Sequence, residues 1–326
     1  MTTNNNRIFY ATQGLLLKGT DKDGNGSNYV APLGVQSVGI TTNIPLEQVF
    51  TVGQIELYDN LENVPDIQVT INKVIDGTAP LYMICMGGSG GVSNANNKNI
   101  VELANNRVEM LLNIYADTQA AASGTAETAV KCTGMYLSNF SFTLPVDGNG
   151  TEDVTLVGNS KEWTTPEPIN LFNNTQTSYG TFRRYNFQSS TPVFNHLQSV
   201  KVSADLGREA IYELGRFAPY HRYVKFPLEV SSEFEIVAIE SDGVNAYATA
   251  PGNSPYQTVN VTIKTTGNAG DTLTLDLGDK NKLTSVNYAG GDTGGANVTM
   301  TYSYKTYNYF KINASGTFLN AALGYD

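Results

Sequence analysis

Apolar and polar residues alternate along most of this chain. Ile67, Val69, Ile71, Lys73 and Ile75 are separated by Gln68, Thr70, Asn72 and Val74, and Val38, Ile40 and Thr42 by Gly39 and Thr41. The same period of two runs through residues 132–144 (Tyr136, Phe140, Phe142), 197–206, 259–263, 273–277, 283–288 and 298–304. A period of two marks strands with one buried face. Residues 8–17 and 108–115 are more continuously apolar and also read as strands. Asp147-Gly148-Asn149-Gly150 turns residues 132–144 back into 152–157 as a hairpin. Residues 98–106 read as a short helix with Ile100, Val101, Leu103 and Ala104 on its apolar side. Residues 87–91, Gly-Gly-Ser-Gly-Gly, read as a flexible loop, and so do residues 120–128. The expected fold is all-β with at most one or two short helices.

The pattern occurs twice. Gln36, Ser37, Val38, Glu47, Gly53, Tyr58 and Pro65 recur 162 positions later as Gln198, Ser199, Val200, Glu209, Gly215, Tyr220 and Pro227. Apolar positions between them match in kind, Ile40 with Val202 and Ile55 with Phe217 among them. Self-similarity at a fixed offset is the signature of a duplicated unit. After Pro227 the copies slip by one residue, so that Leu228-Glu229-Val230-Ser231 matches Ile67-Gln68-Val69-Thr70, and Asp242-Gly243 answers Asp76-Gly77. A closing hairpin also recurs: Leu137-Ser138, Phe140 and Phe142 followed by residues 154–156 resemble Leu283-Thr284, Val286 and Tyr288 followed by residues 298–300. The predicted organisation is one β unit over residues 1–163, a linker over 164–180 and a second β unit over 181–326. Residues 49–58 and 211–220 read as one extended piece each, with Gly53 and Gly215 as a bulge or a close backbone approach. Residues 60–65 read as a short connection. Open strand edges are a liability unless another chain covers them. Two units per chain then predict three chains in a ring of six units.

The chain has 326 residues, only 15% of them charged, and a net charge of −10. An acidic chain grips phosphate backbones poorly, which disfavours ordinary nucleic-acid binding but not passage of DNA. Cys85 and Cys132 lack a disulfide framework and read as buried free thiols. No stretch approaches the ~20 apolar residues of a membrane span, and residues 1–7 lack an apolar leader core, so a soluble, intracellularly made protein is expected. Residues 21–27, Asp-Lys-Asp-Gly-Asn-Gly-Ser, open like a calcium loop, but Pro32 stands where the bidentate Glu belongs, which favours a mobile hairpin tip. His196 and His221 read as lone polar loop histidines without metal-ligand spacing. No nucleophile elbow, metal motif or cofactor glycine pattern stands in a usable context. Glu47 and Glu209 are repeated carboxylates, and a partner such as Arg208 would make Glu47 structural. The expectation is a non-enzyme without cofactor or metal.

Residues 33–43 (Leu-Gly-Val-Gln-Ser-Val-Gly-Ile-Thr-Thr-Asn) and 46–58, with Glu47, Gly53 and Tyr58, resemble the tail tube proteins of tailed bacteriophages. So do residues 215–227, Gly-Arg-Phe-Ala-Pro-Tyr through Phe-Pro, and Phe142 to Gly148 with Thr155 to Asn159. The resemblance covers both halves. It implies a β-sandwich or partly closed barrel with long hairpins that join those of neighbours around a channel, flanked by a helix for which residues 98–106 fit. No matching helix is evident between residues 243 and 257. Some members are duplicated and form trimeric rings with pseudo-sixfold symmetry. The implied role is a structural virion protein, made in the host cytoplasm, whose stacked rings conduct double-stranded DNA. Its implied partners are itself, the tail terminator, the tape measure, the baseplate or tip, and a sheath where the tail has one. Terminator and completion rings are similar enough to remain an alternative. An adhesin with Tyr302, Tyr304, Tyr307 and Tyr309 as a sugar platform is a second. If there is a channel, residues 36–58 and 198–220 are the candidate wall, with Glu47, Glu56, Asp205, Glu209 and Glu213 against Lys201, Arg208 and Arg216, a mildly acidic balance.

Overall fold

The computed structural model describes residues 7–117, 125–167, 180–239, 257–265, 271–289 and 297–320. The first half contributes β1 (Gln13–Thr20), β2 (Val35–Asn43), β3 (Leu46–Phe50), β4 (Leu57–Glu62) and β5 (Asp66–Val74). Helices α1 (Leu81–Met86), α2 (Gly91–Ala95) and α3 (Ile100–Leu103) follow, then β6 (Arg107–Tyr115), β7 (Ala126–Pro145), β8 (Thr151–Gly158) and β9 (Ser160–Thr164). The second half contributes β10 (Phe187–Thr191), β11 (Leu197–Asp205), β12 (Glu209–Ile211), β13 (His221–Tyr223) and β14 (Glu229–Val237). It ends with β15 (Asn260–Lys264), β16 (Thr272–Asp276), β17 (Lys282–Ala289), β18 (Thr299–Tyr307) and β19 (Lys311–Ala314). The alternating pattern therefore folds as all-β, as expected.

Eight of these strands form one path, in the order β17-β18-β14-β11-β7-β8-β5-β2. It is the same quartet written twice: β17-β18-β14-β11 from the second half, then β7-β8-β5-β2 from the first. Strands β6, β1 and β9 branch from the long β7, and β10-β15-β16-β19 form a separate four-stranded sheet. The pairs β3–β4 and β12–β13 are two-stranded ribbons. The small sheet and the helices cover the apolar face of the large sheet. Phe310 stacks 4.8 Å from Phe140 and 5.2 Å from Tyr82, and Phe194 lies 5.1 Å from Phe234. One continuous core runs through both halves. The Asn96 side chain locks them together, accepting from Ala314 N at 2.8 Å and donating to Ala314 O at 3.2 Å.

Among the described residues three short α-helices form where at most two were expected. All six residues of α1, Leu-Tyr-Met-Ile-Cys-Met, are buried. A helix apolar on every side has no periodicity to betray it. Its first amides are held by Glu152, whose two carboxylate oxygens accept from Leu81 N and Tyr82 N at 2.7 Å each. Residues 87–91 are not a flexible loop. They form a 3₁₀ turn that leads into α2, and a Cβ on Gly19 would stand 2.6 Å from Gly88 O. That close approach is what the glycines permit. Residues 126–128 belong to β7 rather than to a loop. The predicted linker keeps only its ends among the described residues, Thr164 closing β9, and the segment 243–257 lies almost wholly outside them.

Residues 21–27 form the expected hairpin tip. Asp21 Oδ1 accepts from Asp23 N and Asn25 N at 2.9 Å each, an Asx turn. Among the described residues no three His, Cys, Asp or Glu side chains gather as metal ligands, and no helix is long and apolar enough to cross a membrane. Cys85 and Cys132 are buried and free, and burial pushes the Cys132 thiol up to about 11.

Burial raises the Glu152 carboxyl to about 7 from its ordinary 4.5, against the pull of Lys73 and the two α1 amides. Between those two values the folded chain binds more protons than the unfolded one. Stability therefore falls as pH rises from about 4.5 to about 7, by up to about 3 kcal/mol. Urea denaturation of the Glu152→Gln variant should show a markedly smaller loss over this window than the parent chain. An unchanged loss would contradict this assignment.

Candidate assembly surface

The two quartets are built alike, although their registers match Val69 with Ser232 rather than with Val230 as the sequence suggests. Strand β2 pairs with β5 as Val38 opposite Ile71 and Ile40 opposite Val69, and β11 pairs with β14 as Val200 opposite Phe234 and Val202 opposite Ser232. Both pairings slip by one residue at the same place, between Val35 and Ser37 and between Leu197 and Ser199. The extra residues are the repeated Gln36 and Gln198. Their amides donate to Gly34 O and His196 O, each at 3.1 Å, where Gly34 and His196 hold positive φ of 75° and 55°. That is a bulge with a local side-chain tie. It explains why glutamine recurs and gives His196 a backbone role. Ser37 and Ser199 follow on the polar face, with Ser199 Oγ donating to Glu235 at 2.9 Å, and Val38 and Val200 on the apolar face.

Residues 49–58 and 211–220 are not single strands. Each is the outer part of a ribbon, β3–β4 or β12–β13, and residues 57–62 are strand rather than connection. The ribbons share a register, Glu47 opposite Leu61 and Glu209 opposite Tyr223. Gly53 and Gly215 sit in the turns at φ 92° and 87° with nothing within 4 Å, so backbone conformation alone demands glycine. Val52, Ile55 and Leu214 are fully exposed at the tips. These apolar tips hid the turns from a reading of hydrophobicity. Tyr58 and Tyr220 flank the turns, and Tyr220 N donates to Ile211 O at 3.1 Å. Pro65 and Pro227 stand where the chain re-enters the sheet as β5 and β14.

The closing hairpins also correspond, with one correction. Strand β7 bulges between Leu137 and Asn139, and β17 between Leu283 and Ser285. The bulge puts Leu137 in phase with Phe140 and Phe142 and turns Tyr136 to the opposite face, so even spacing misassigned Tyr136. Phe140 lies opposite Val154, and Val286 opposite Tyr302. Tyr302, not Val298, is thus the counterpart of Val154.

Strand β11 has a second neighbour that β2 lacks. It pairs with β7 across the seam between the halves, Val202 opposite Phe142 and Ala204 opposite Phe140. Val200, Val202 and Ala204 are buried there. Their counterparts Val38, Ile40 and Thr42 on β2 are half-buried or exposed. At the other end β17 is likewise open, with Tyr288 63% exposed. Among the described residues, β2 and β17 each pair on one side only.

The face of the eight-stranded path turned away from the core is mostly polar, with Tyr136, Val157, Val237 and Tyr307 as its apolar or aromatic members. Ser37, Thr41, Gln68, Thr70, Asn139, Ser141, Thr143, Ser203, Ser231 and Ser303 alternate with core residues along their strands. Its charges are Asp66, Asp153, Asp205, Glu229, Glu233 and Glu235 against Lys201, Lys282 and Lys305, six against three, or −3. Of the charged residues expected on a wall, only Lys201 and Asp205 lie here. Glu47, Glu56, Arg208, Glu209, Glu213 and Arg216 belong to the ribbons and the turns beside them.

The second ribbon is docked. Arg208 donates to Leu137 O at 2.7 Å and Ala104 O at 2.8 Å, and Arg222 pairs with Asp66 at 2.6 Å. Arg208 thus spends these donors on carbonyls rather than on Glu47. His221 is no loop residue. It is buried in β13, its Nδ1 2.9 Å from Tyr136 Oη, and desolvation with Arg107 and Arg208 nearby lowers its pKa. Tyr302 and Tyr304 are buried in the core, which leaves Tyr307 as the exposed member of the four tyrosines. No protein-family model matches this chain, and no curated protein matches it.

Alanine at Gly53 or Gly215 meets no clash but forces a left-handed backbone on a side chain, at a cost of about 1 kcal/mol. Amide exchange in the affected ribbon, read at Tyr220 N–H for Gly215→Ala, should speed up about 5-fold. Unchanged exchange would show that the turns do not need glycine.

Proposed function

We propose that this chain is a structural virion protein that closes into three-chain rings, and that the rings stack into a phage tail tube through which DNA passes. The supporting observation is the seam β11·β7, which joins two copies of one quartet and leaves a β2-type edge and a β7-type edge open at the ends of the path. Replacing each seam strand by its counterpart gives the joint between chains. Asn43 then faces Ser285 of the next chain, Thr42 faces Val286, Thr41 faces Asn287, and Ile40 faces Tyr288. This joint buries Ile40 against Tyr288 as Val202 is buried against Phe142. It also satisfies the two rows of main-chain groups that open edges leave unpaired.

Three chains of eight strands make a barrel of 24. At a spacing of ~4.8 Å and a tilt of ~40°, such a barrel has a backbone radius of roughly 24 Å, and side chains leave a bore of roughly 35–40 Å. That bore admits a double helix. The small sheet and helices spread more easily over the convex side, which turns the polar face inward. Its hydroxyls, amides and mildly acidic balance offer phosphates no cationic grip, so a duplex slides past it. Both ribbons leave the sheet at the same strand ends, between β2 and β5 and between β11 and β14. In a ring six ribbons therefore stand at one rim. Their exposed Val52, Ile55, Leu214 and Phe217 favour stacking over a ring that stays single.

Cysteines at Thr41 and Asn287 test the joint, since directly opposed residues bring Cβ atoms to about 5 Å. The Thr41→Cys/Asn287→Cys chain should oxidise to a covalent trimer on a denaturing gel, while Thr41→Cys/Ser285→Cys, out of register, should not. Monomers from both, with native mass spectrometry showing no trimer, would overturn the ring.

A further inference from the structure

The two ribbons share a register but differ in charge. Residues 206–225 carry Arg208, Arg216, Arg222 and Lys225 against Glu209 and Glu213, whereas residues 44–63 carry Glu47, Glu56, Asp59 and Glu62 and no basic residue. The basic ribbon is seated within its own chain, at the start of β5 and around the β7 bulge, through Arg222–Asp66 at 2.6 Å and His221–Tyr136 at 2.9 Å. All residues of the acidic ribbon but Val49 are exposed. Its seat, by the symmetry of the quartets, lies on the next chain, at the start of β14 and around the β17 bulge.

The counterparts at that seat are fixed by the shared registers. Asp59 takes the place of His221, since it faces Val49 as His221 faces Ile211. Lys282 takes the place of Tyr136, since it precedes Leu283 and the β17 bulge as Tyr136 precedes Leu137 and the β7 bulge. Around Lys282 the seat is basic. Lys305 lies directly opposite it, Lys280 precedes it, and Glu229 bonds Lys305 at 2.7 Å. We propose that the acidic ribbon β3–β4 docks on this lysine cluster of a second copy of the chain, with Asp59 paired to Lys282 of its neighbour. The inference rests on the ring reading above and adds to it a charge code. The contact within the chain sets the cation Arg222 of the ribbon on the anion Asp66 of its seat, and the contact between chains sets the anion Asp59 of the ribbon on the cation Lys282. Opposite polarities keep a ribbon from settling on the wrong seat, because like charges repel there.

The test is a charge swap in the full chain. Asp59→Lys alone and Lys282→Asp alone should each weaken ring formation, by about tenfold in the concentration at half-assembly, and the double variant should recover most of that loss. Both positions are outside the core, and unchanged thermal unfolding of the unassembled chain serves as the folding control. Single variants that assemble like the parent, or a double variant no better than either single one, would overturn the ribbon contact while leaving the ring intact. A parent chain that forms no ring would overturn both.

Discussion

The seam between β11 and β7 is the interaction on which the rest depends. It is an antiparallel run of main-chain hydrogen bonds between the last strand of one quartet and the first strand of the other, backed by Val202, Ala204, Phe140 and Phe142. Without it the two quartets of the path would have four open ends. With it there are two edges, and they are of the same two kinds that the seam has already shown to fit. A sheet of two like quartets carries its own template for extension, and curvature decides whether such extension would end in a closed ring or continue.

Much of this was legible in the sequence. The alternating positions gave the strands, and the 162-residue offset marked strands and turns that prove equivalent in register down to a shared bulge. Gln36 and Gln198 were visible as repeated residues, although their reason, a side chain tied back across a bulge, needed coordinates. Three kinds of feature were hidden. The ribbon tips carry apolar Val52, Ile55, Leu214 and Phe217, so hydrophobicity continues straight through a turn that only the φ of Gly53 and Gly215 reveals. Helix α1 is apolar on every side and is fixed by Glu152, 71 residues away in sequence from Leu81. The bulges in β7 and β17 shift the alternation by one, which misdirected Tyr136 and moved the match of Val154 from Val298 to Tyr302.

The halves also differ. Only the first half supplies α1, α2 and α3 among the described residues, and the turn after α2 clasps β19 of the second half through Asn96 and Asn97. That clasp holds the chain as one body. The ribbons diverge in charge while keeping register, and one is docked within the chain while the other is exposed. Repeated residues thus maintain geometry, and in the proposed ring the divergent residues would distinguish internal contacts from external ones.

The central claim is that three copies close six quartets into one barrel with the polar face inside. A cryo-electron microscopy reconstruction of the purified assembly tests it most directly. The account predicts 24 strands in a continuous wall, β2 of each chain joined to β17 of the next, and Lys201, Asp205 and Glu233 facing an open bore. A reconstruction with free β2 and β17 edges, or with the polar face outward and the bore filled, would contradict it.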